Sequence, residues 1–206
     1  HEFDSSPWEP PFYSLCTNPN NTIDSLELLI ALRFKLCTEK PNKNSIIALI
    51  KNPRPLDPEK IRILKNAGCD IEMLLNICCL EKSENTTLIE SIIEITGINP
   101  IHWRSKNRQN ILHLLSRGEG GINRELLTKF LEKGVDPSEE DCYGETPFKM
   151  ICGDMENNKD VVKYLVGEGC DINEALDLIF SSRYCDEEMV IFAFQNGLDI
   201  SREMKT

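Results

Sequence analysis

Apolar positions along this chain fall into two kinds of run that alternate. One kind is short and almost wholly apolar: Pro11-Phe12-Tyr13-Ser14-Leu15-Cys16, Ile46-Ile47-Ala48-Leu49-Ile50, Leu74-Leu75-Asn76-Ile77-Cys78, Ile111-Leu112-His113-Leu114-Leu115, Pro147-Phe148-Lys149-Met150-Ile151-Cys152 and Ala175-Leu176-Asp177-Leu178-Ile179. The other kind is amphipathic, as in Glu125-Leu126-Leu127-Thr128-Lys129-Phe130-Leu131 and Val161-Val162-Lys163-Tyr164-Leu165. Apolar residues three and four apart put one face of a helix toward a core. The pattern therefore predicts helix pairs, with no central sheet.

Each amphipathic run ends in a similar turn. The common form is Gly, apolar, Asp or Asn, apolar: Gly68-Cys69-Asp70-Ile71, Gly97-Ile98-Asn99-Pro100, Gly134-Val135-Asp136-Pro137, Gly169-Cys170-Asp171-Ile172 and Gly197-Leu198-Asp199-Ile200, with Arg33-Phe34-Lys35-Leu36 as a degenerate first copy. Glycine stops a helix because it takes positive φ without strain. Phe12 to Arg33, Ile47 to Gly68, Phe148 to Gly169 and Leu176 to Gly197 are each 21 residues apart, and Leu75 to Gly97 and Leu112 to Gly134 are each 22. One spacing repeated in this way marks a solenoid of small units. Thr146 fits an N-cap, Pro147 a first helical position, and Asn110 and Ser45 the same cap in other units.

The segment Asp141-Cys142-Tyr143-Gly144-Glu145-Thr146-Pro147-Phe148-Lys149, running on to Leu165 and Gly169-Cys170-Asp171-Ile172-Asn173, resembles the ankyrin-repeat family. It matches the family's D-x-x-G-x-T-P-L-H start and L-L-x-x-G-A-D-V-N end, with Phe148 for Leu and Lys149 for His. His113 falls at the family's histidine. The resemblance spans roughly residues 10–200. It implies an all-α ankyrin-repeat solenoid of about six helix-turn-helix units, at about 10–36, 45–71, 73–100, 110–137, 146–172 and 174–200, between tails at 1–9 and 201–206. The opening His-Glu-Phe, without Met, leaves residues 1–9 as a tail foreign to the natural chain on this reading, and the chain as a monomer or a fragment of a longer one.

In ankyrin proteins the connector between units carries a projecting β-hairpin, the finger. Connectors here are bimodal: 14 residues from Arg33 to Ile47, 15 from Gly97 to Leu112 and 14 from Gly134 to Phe148, but 7 from Gly68 to Leu75 and from Gly169 to Leu176. Fingers are expected at about 35–45, 99–110 and 136–146, and are expected to be stunted at 70–73 and 171–174. The 99–110 finger carries His102, Trp103, Arg104, Lys106 and Arg108; its neighbour carries Glu139, Glu140, Asp141 and Tyr143. A basic, aromatic finger beside an acidic one predicts a bipolar strip for a protein partner, since Trp, Tyr and Arg dominate interface energetics. The partner-binding candidates are His102, Trp103, Arg104, Lys106, Arg108, Glu140 and Tyr143. The alternative is that Trp103 packs between units while the charges only solvate the fingers. By resemblance to sites of asparagine hydroxylases, Asn173 is a candidate modification site, against a helix-capping role.

Composition narrows the function. Thirty-four acids against 23 Lys and Arg give a net charge of -11, which argues against a nucleic-acid or membrane-surface binder. No apolar stretch approaches the ~18 residues of a membrane span. Nine cysteines are an odd count, mostly within apolar runs and without CxxC spacing, so they read as buried thiols of a cytoplasmic or nuclear protein rather than as disulfides or metal ligands. Asn20 and Asn85 head chance N-x-T triplets. Gly118-Glu119-Gly120-Gly121 lacks a following Lys-Ser/Thr and reads as a flexible inter-helix loop. No catalytic, cofactor or metal constellation appears. The expectation is a non-catalytic scaffold or adaptor that binds a protein through its concave, finger-lined face. The alternative, suggested by degenerate repeats similar to poxvirus-type ankyrin proteins, is a pathogen effector or host-range factor that captures a host protein; an enzyme is the remaining option.

Overall fold

The computed structural model describes residues 58–66, 70–80, 86–118 and 120–199, together with Asn18, Asn20 and Ser25. The first repeat, the short run at 46–50, the 35–45 finger, the Ser45 cap and both tails lie outside the described residues. Within them the chain is all-helical, with no strand. Its helices are α1 (Pro58–Asn66), α2 (Ile71–Leu80), α3 (Thr86–Thr96), α4 (Ile111–Leu115), α5 (Arg124–Glu132), α6 (Pro147–Cys152), α7 (Met155–Gly167), α8 (Leu176–Ser181) and α9 (Glu187–Gln195), with a 3-10 turn at Ile172–Glu174. None of them is long and apolar enough to cross a membrane.

The chain divides into two compact units, His1–Cys78 with Thr87–Gly97, and Cys79–Thr86 with Ile98–Thr206. In the first, Ile61, Leu64, Leu74, Leu75 and Ile92 are fully buried. Lys65 Nζ donates to the carbonyl of Ile95 at 2.9 Å, placing a cation where the last carbonyls of α3 have no helical partner. Asp70 caps α2 directly, its Oδ1 accepting from the Met73 N–H at 3.3 Å, so the short connector leads straight into a helix.

The second unit explains the repeated turn residue by residue. Gly134 closes α5 at φ 89°, and the same sign recurs at Gly97, Gly169 and Gly197. The Val135 N–H then reaches back to the Phe130 carbonyl at 3.0 Å, as Cys170 does to Leu165 and Leu198 to Ala193, each at 3.0 Å. This six-residue closure folds the apolar residue after glycine onto the helix it ends, and Val135 and Cys170 are buried. The acid or amide that follows makes an Asx turn: Asp136 Oδ1 accepts from the Ser138 N–H at 2.8 Å and Asp171 Oδ1 from the Asn173 N–H at 2.9 Å. Gly, apolar and Asp thus have three separate jobs in four residues.

Short helices α4 and α6 supply the core. All five residues of α4 are buried, and Phe148, Ile151 and Cys152 of α6 are fully buried. Thr146 caps α6 by accepting from the Lys149 N–H at 3.1 Å, with Pro147 in the first turn. Successive pairs are joined by asparagines. Asn158 of α7, buried, accepts from the Ile122 N–H at 2.8 Å. Its neighbour Asn157 lies so close to Gly121 that a Cβ there would meet it at 2.9 Å. The loop expected to be flexible at 118–121 is pinned at its last residue, Gly121, by this close packing, and the buried Asn158 amide holds Ile122 beside it. Asn173 bridges to the next turn, its Nδ2 donating to the Gly197 carbonyl at 3.0 Å and its Oδ1 accepting from the Asp199 N–H at 2.9 Å. Outside this polar layer Lys159 pairs with Asp186, and Lys163 with Glu188 at 2.6 Å, tying α7 to α9. The mutual pairing raises the Lys159 pKa and lowers those of Asp186 and Glu188.

Candidate protein-interaction surface

The two long connectors of the second unit are compact bends rather than β-hairpins. The 99–110 loop is closed by the Ser105 N–H to the Gln109 carbonyl at 2.9 Å, and the 136–146 loop by the Asp141 N–H to the Glu145 carbonyl at 2.9 Å. Strands do not form because the polar side chains of each loop satisfy its backbone locally. Ser105 Oγ accepts from the Asn107 and Gln109 N–H groups, and Asp141 Oδ1 from those of Tyr143 and Glu145. At 171–174, by contrast, the 3-10 turn occupies the whole connector.

A network holds the two loops together. The Cys142 N–H donates to the Asn107 carbonyl at 2.9 Å, joining one tip to the other. Below it, Gln109 Nε2 donates to Asp141 Oδ2 at 3.0 Å, and Arg104 Nε meets Glu139 Oε1 at 2.5 Å. Asn110 is central and fully buried. Its Oδ1 accepts from the Leu112 and His113 N–H groups, while its Nδ2 donates to the Asp136 carbonyl at 2.8 Å and to Glu139 Oε2 at 3.0 Å. His113 Nε2 lies 3.0 Å from the Glu145 carbonyl, which can only accept, so that nitrogen carries the proton. Its Nδ1 then accepts from the Asn110 N–H at 3.1 Å.

The electrostatics follow from this wiring. Burial lowers the His113 pKa below its ordinary 6.5, against the pull of the Glu145 carbonyl and the charges of Asp141 and Glu139. Burial pushes the Glu139 carboxyl upward, but hydrogen bonds from Arg104 and Asn110 and the guanidinium charge outweigh it, and the net shift is down. Asp141 behaves alike: donors from Gln109, Tyr143 and Glu145 overcome desolvation and hold it below the usual range. Among the described residues no group of His, Cys, Asp and Glu side chains could hold a metal ion.

The expected site residues now separate. Arg104 is committed inward: besides Glu139, its Nη1 donates to the carbonyls of Ile101 and Trp103 at 2.8 and 2.6 Å. These bonds make it a strut of the platform, with 29% of its side chain still exposed. Trp103 is half-buried; His102, Lys106, Arg108, Glu140 and Tyr143 are exposed, Tyr143 by 73%. Arg108 is the one described non-glycine residue with positive φ, at 61°. That conformation costs a bulky L-residue about 1 kcal/mol or more. The bipolar strip also changes, because Glu139 and Asp141 turn into the network and leave Glu140 as the exposed acid of that run. Asn173, read as a modification candidate or a helix cap, is held by Asp171, Gly197 and Asp199. Asp171, not Asn173, is the local cap.

No protein-family model matches the chain, and a search of the curated proteins finds no match.

The cross-loop pairs were not legible as pairs, because partners such as Gln109 and Asp141 lie far apart in sequence. The available signal for the 136–146 bend was Asp141 three residues before Gly144, a spacing that suits an Asx-stabilised turn. Cys142, Cys152, Cys170 and Cys185 are free thiols. Cys142 is exposed beside Tyr143, whereas burial pushes the Cys170 thiol up to about 11 and raises Cys152 further.

Proposed function

We propose that the chain is a divergent ankyrin-repeat protein: a non-catalytic module that binds a protein partner through the side of its repeats that carries the long connector loops. The carrying observation is the bond from the Cys142 N–H to the Asn107 carbonyl, with the buried Asn110 network beneath it. Loops tied in this way lose little conformational entropy on binding, which favours affinity. Their exposed residues include Arg108 and Tyr143, with Trp103 half-exposed, and Arg, Tyr and Trp are the types that carry most binding energy at interfaces. The repeated helix, Gly-apolar-Asp turn and Thr-Pro helix start support the family reading.

The test uses the full chain, immobilised, to capture partners from cell lysate for mass spectrometry. Trp103→Ala with Tyr143→Ala should abolish specific capture while leaving helical circular dichroism unchanged, and Glu174→Ala, in the short connector, should leave capture intact. Capture indifferent to the loop substitutions would defeat the proposal.

A further inference from the structure

At the tips of the two loops, residues 105–108 and 141–144, every exposed charge is positive. Lys106 and Arg108 are exposed, while Asp141, the single acid of these segments, is buried and accepts from Gln109 and from two N–H groups of its own loop. This local sign opposes a chain of net charge -11. The bond from Cys142 to Asn107 joins the two tips one residue away from Tyr143 on one loop and from Arg108 on the other. Arg108 holds a left-handed backbone that Gly or Asn would adopt at lower cost, and among the described residues its guanidinium makes no hydrogen bond or ion pair. Strain kept at an exposed cation is explained when the side chain itself is used. Tyr143 adds a rigid ring open to solvent on its acidic loop, whose exposed acids, Asp136, Glu140 and Glu145, lie outside the tip.

We propose that this tip recognises an acidic segment of the protein partner, with the Arg108 fork taking a carboxylate and the Tyr143 ring taking apolar contact beside it. The inference rests on the interaction-module reading and specifies what that module prefers. A planar guanidinium matches a carboxylate in two parallel hydrogen bonds, which a lysine cannot reproduce. The surrounding negative charge repels acidic chains elsewhere on the surface, so the tip would also fix where such a segment docks.

The experiment is selection of a phage-displayed library of random short peptides on the full chain, with parallel selections on Arg108→Glu and Tyr143→Ala. Enrichment of Asp- and Glu-rich peptides on the native chain is expected. A synthetic copy of the leading peptide should bind about tenfold more weakly to Arg108→Glu, weaken with salt, and be only partly rescued by Arg108→Lys. Enrichment of neutral or basic peptides that Tyr143→Ala abolishes would overturn the acidic preference and leave the interaction module standing. Failure to enrich any loop-dependent peptide would count against both.

Discussion

Replacing Asn110 should show whether the loops are energetically coupled or merely adjacent. Its amide makes four hydrogen bonds at a fully buried position, two as acceptor for the start of α4 and two as donor to the neighbouring loop. Asn110→Ala removes the cap, worth about 1 kcal/mol. It also strands the Asp136 carbonyl and one oxygen of Glu139, each worth about 1 kcal/mol because water partly reaches both. The expected loss is about 2–3 kcal/mol, against about 1 kcal/mol for Thr146→Ala, which removes one cap bond. Asn110→Asp is the sharper variant. Asp caps helices as well as Asn does, so both acceptor bonds persist, but both donor bonds vanish and a carboxylate faces that of Glu139. It should cost at least about 2 kcal/mol. Denaturant unfolding at unchanged slope reads the difference. If Asn110→Asp stays within about 0.5 kcal/mol of the native chain, the donor bonds contribute nothing and the loops are not held by this network.

Three further outcomes follow from burial and charge. Because burial lowers the His113 pKa in the folded state, its neutral form contributes stability that is complete above about pH 6.5 and declines as pH falls from there toward the lowered value. Glu139 and Asp141, lowered by their donors, add a second loss below about pH 4.5, and His113→Gln should flatten only the upper window of a melting-temperature profile. Phe148→Ala, in a fully buried site, should cost about 3–5 kcal/mol in thermal unfolding, whereas Phe194→Ser on the exposed side of α9 should stay within about 0.5 kcal/mol. In native thiol labelling Cys142 should react fastest, with Cys152 and Cys170 protected by burial; equal rates for all three would contradict the packing.

The local grammar of the fold was legible because each signal is short-range. Gly134-Val135-Asp136 encodes a helix stop, a buried return and an Asx turn within three residues, and Thr146-Pro147 encodes a helix start. Spacing alone also distinguished the long connectors from the short one filled by Ile172–Glu174. What the sequence concealed is the pairing of polar side chains across loops. Composition made the 136–146 loop acidic, but Glu139 and Asp141 face inward to Arg104, Asn110 and Gln109, so its exposed character differs from its formal charge. Arg104 illustrates the same limit: composition marks it as a cation of its loop but does not show the acceptors that hold it, Glu139 and the Ile101 and Trp103 carbonyls. Asn158 and Asn173 carried no legible signal as bridges between successive helix pairs, because amides occur freely on helices and turns, and only the packing of the next pair gives them acceptors and donors.

Whether neighbouring loops form one preorganised platform is decided most directly by the bond between the Cys142 amide and the Asn107 carbonyl. Scalar coupling across that hydrogen bond can be measured by nuclear magnetic resonance on isotopically labelled full chain, alongside exchange of the Cys142 amide with deuterated water. A resolved coupling between the Cys142 nitrogen and the Asn107 carbonyl carbon is expected, with an amide protected well beyond those of an open loop. Absence of the coupling, together with a Cys142 amide exchanging as fast as in an unstructured peptide, would show that the two loops are independent and that no shared platform exists.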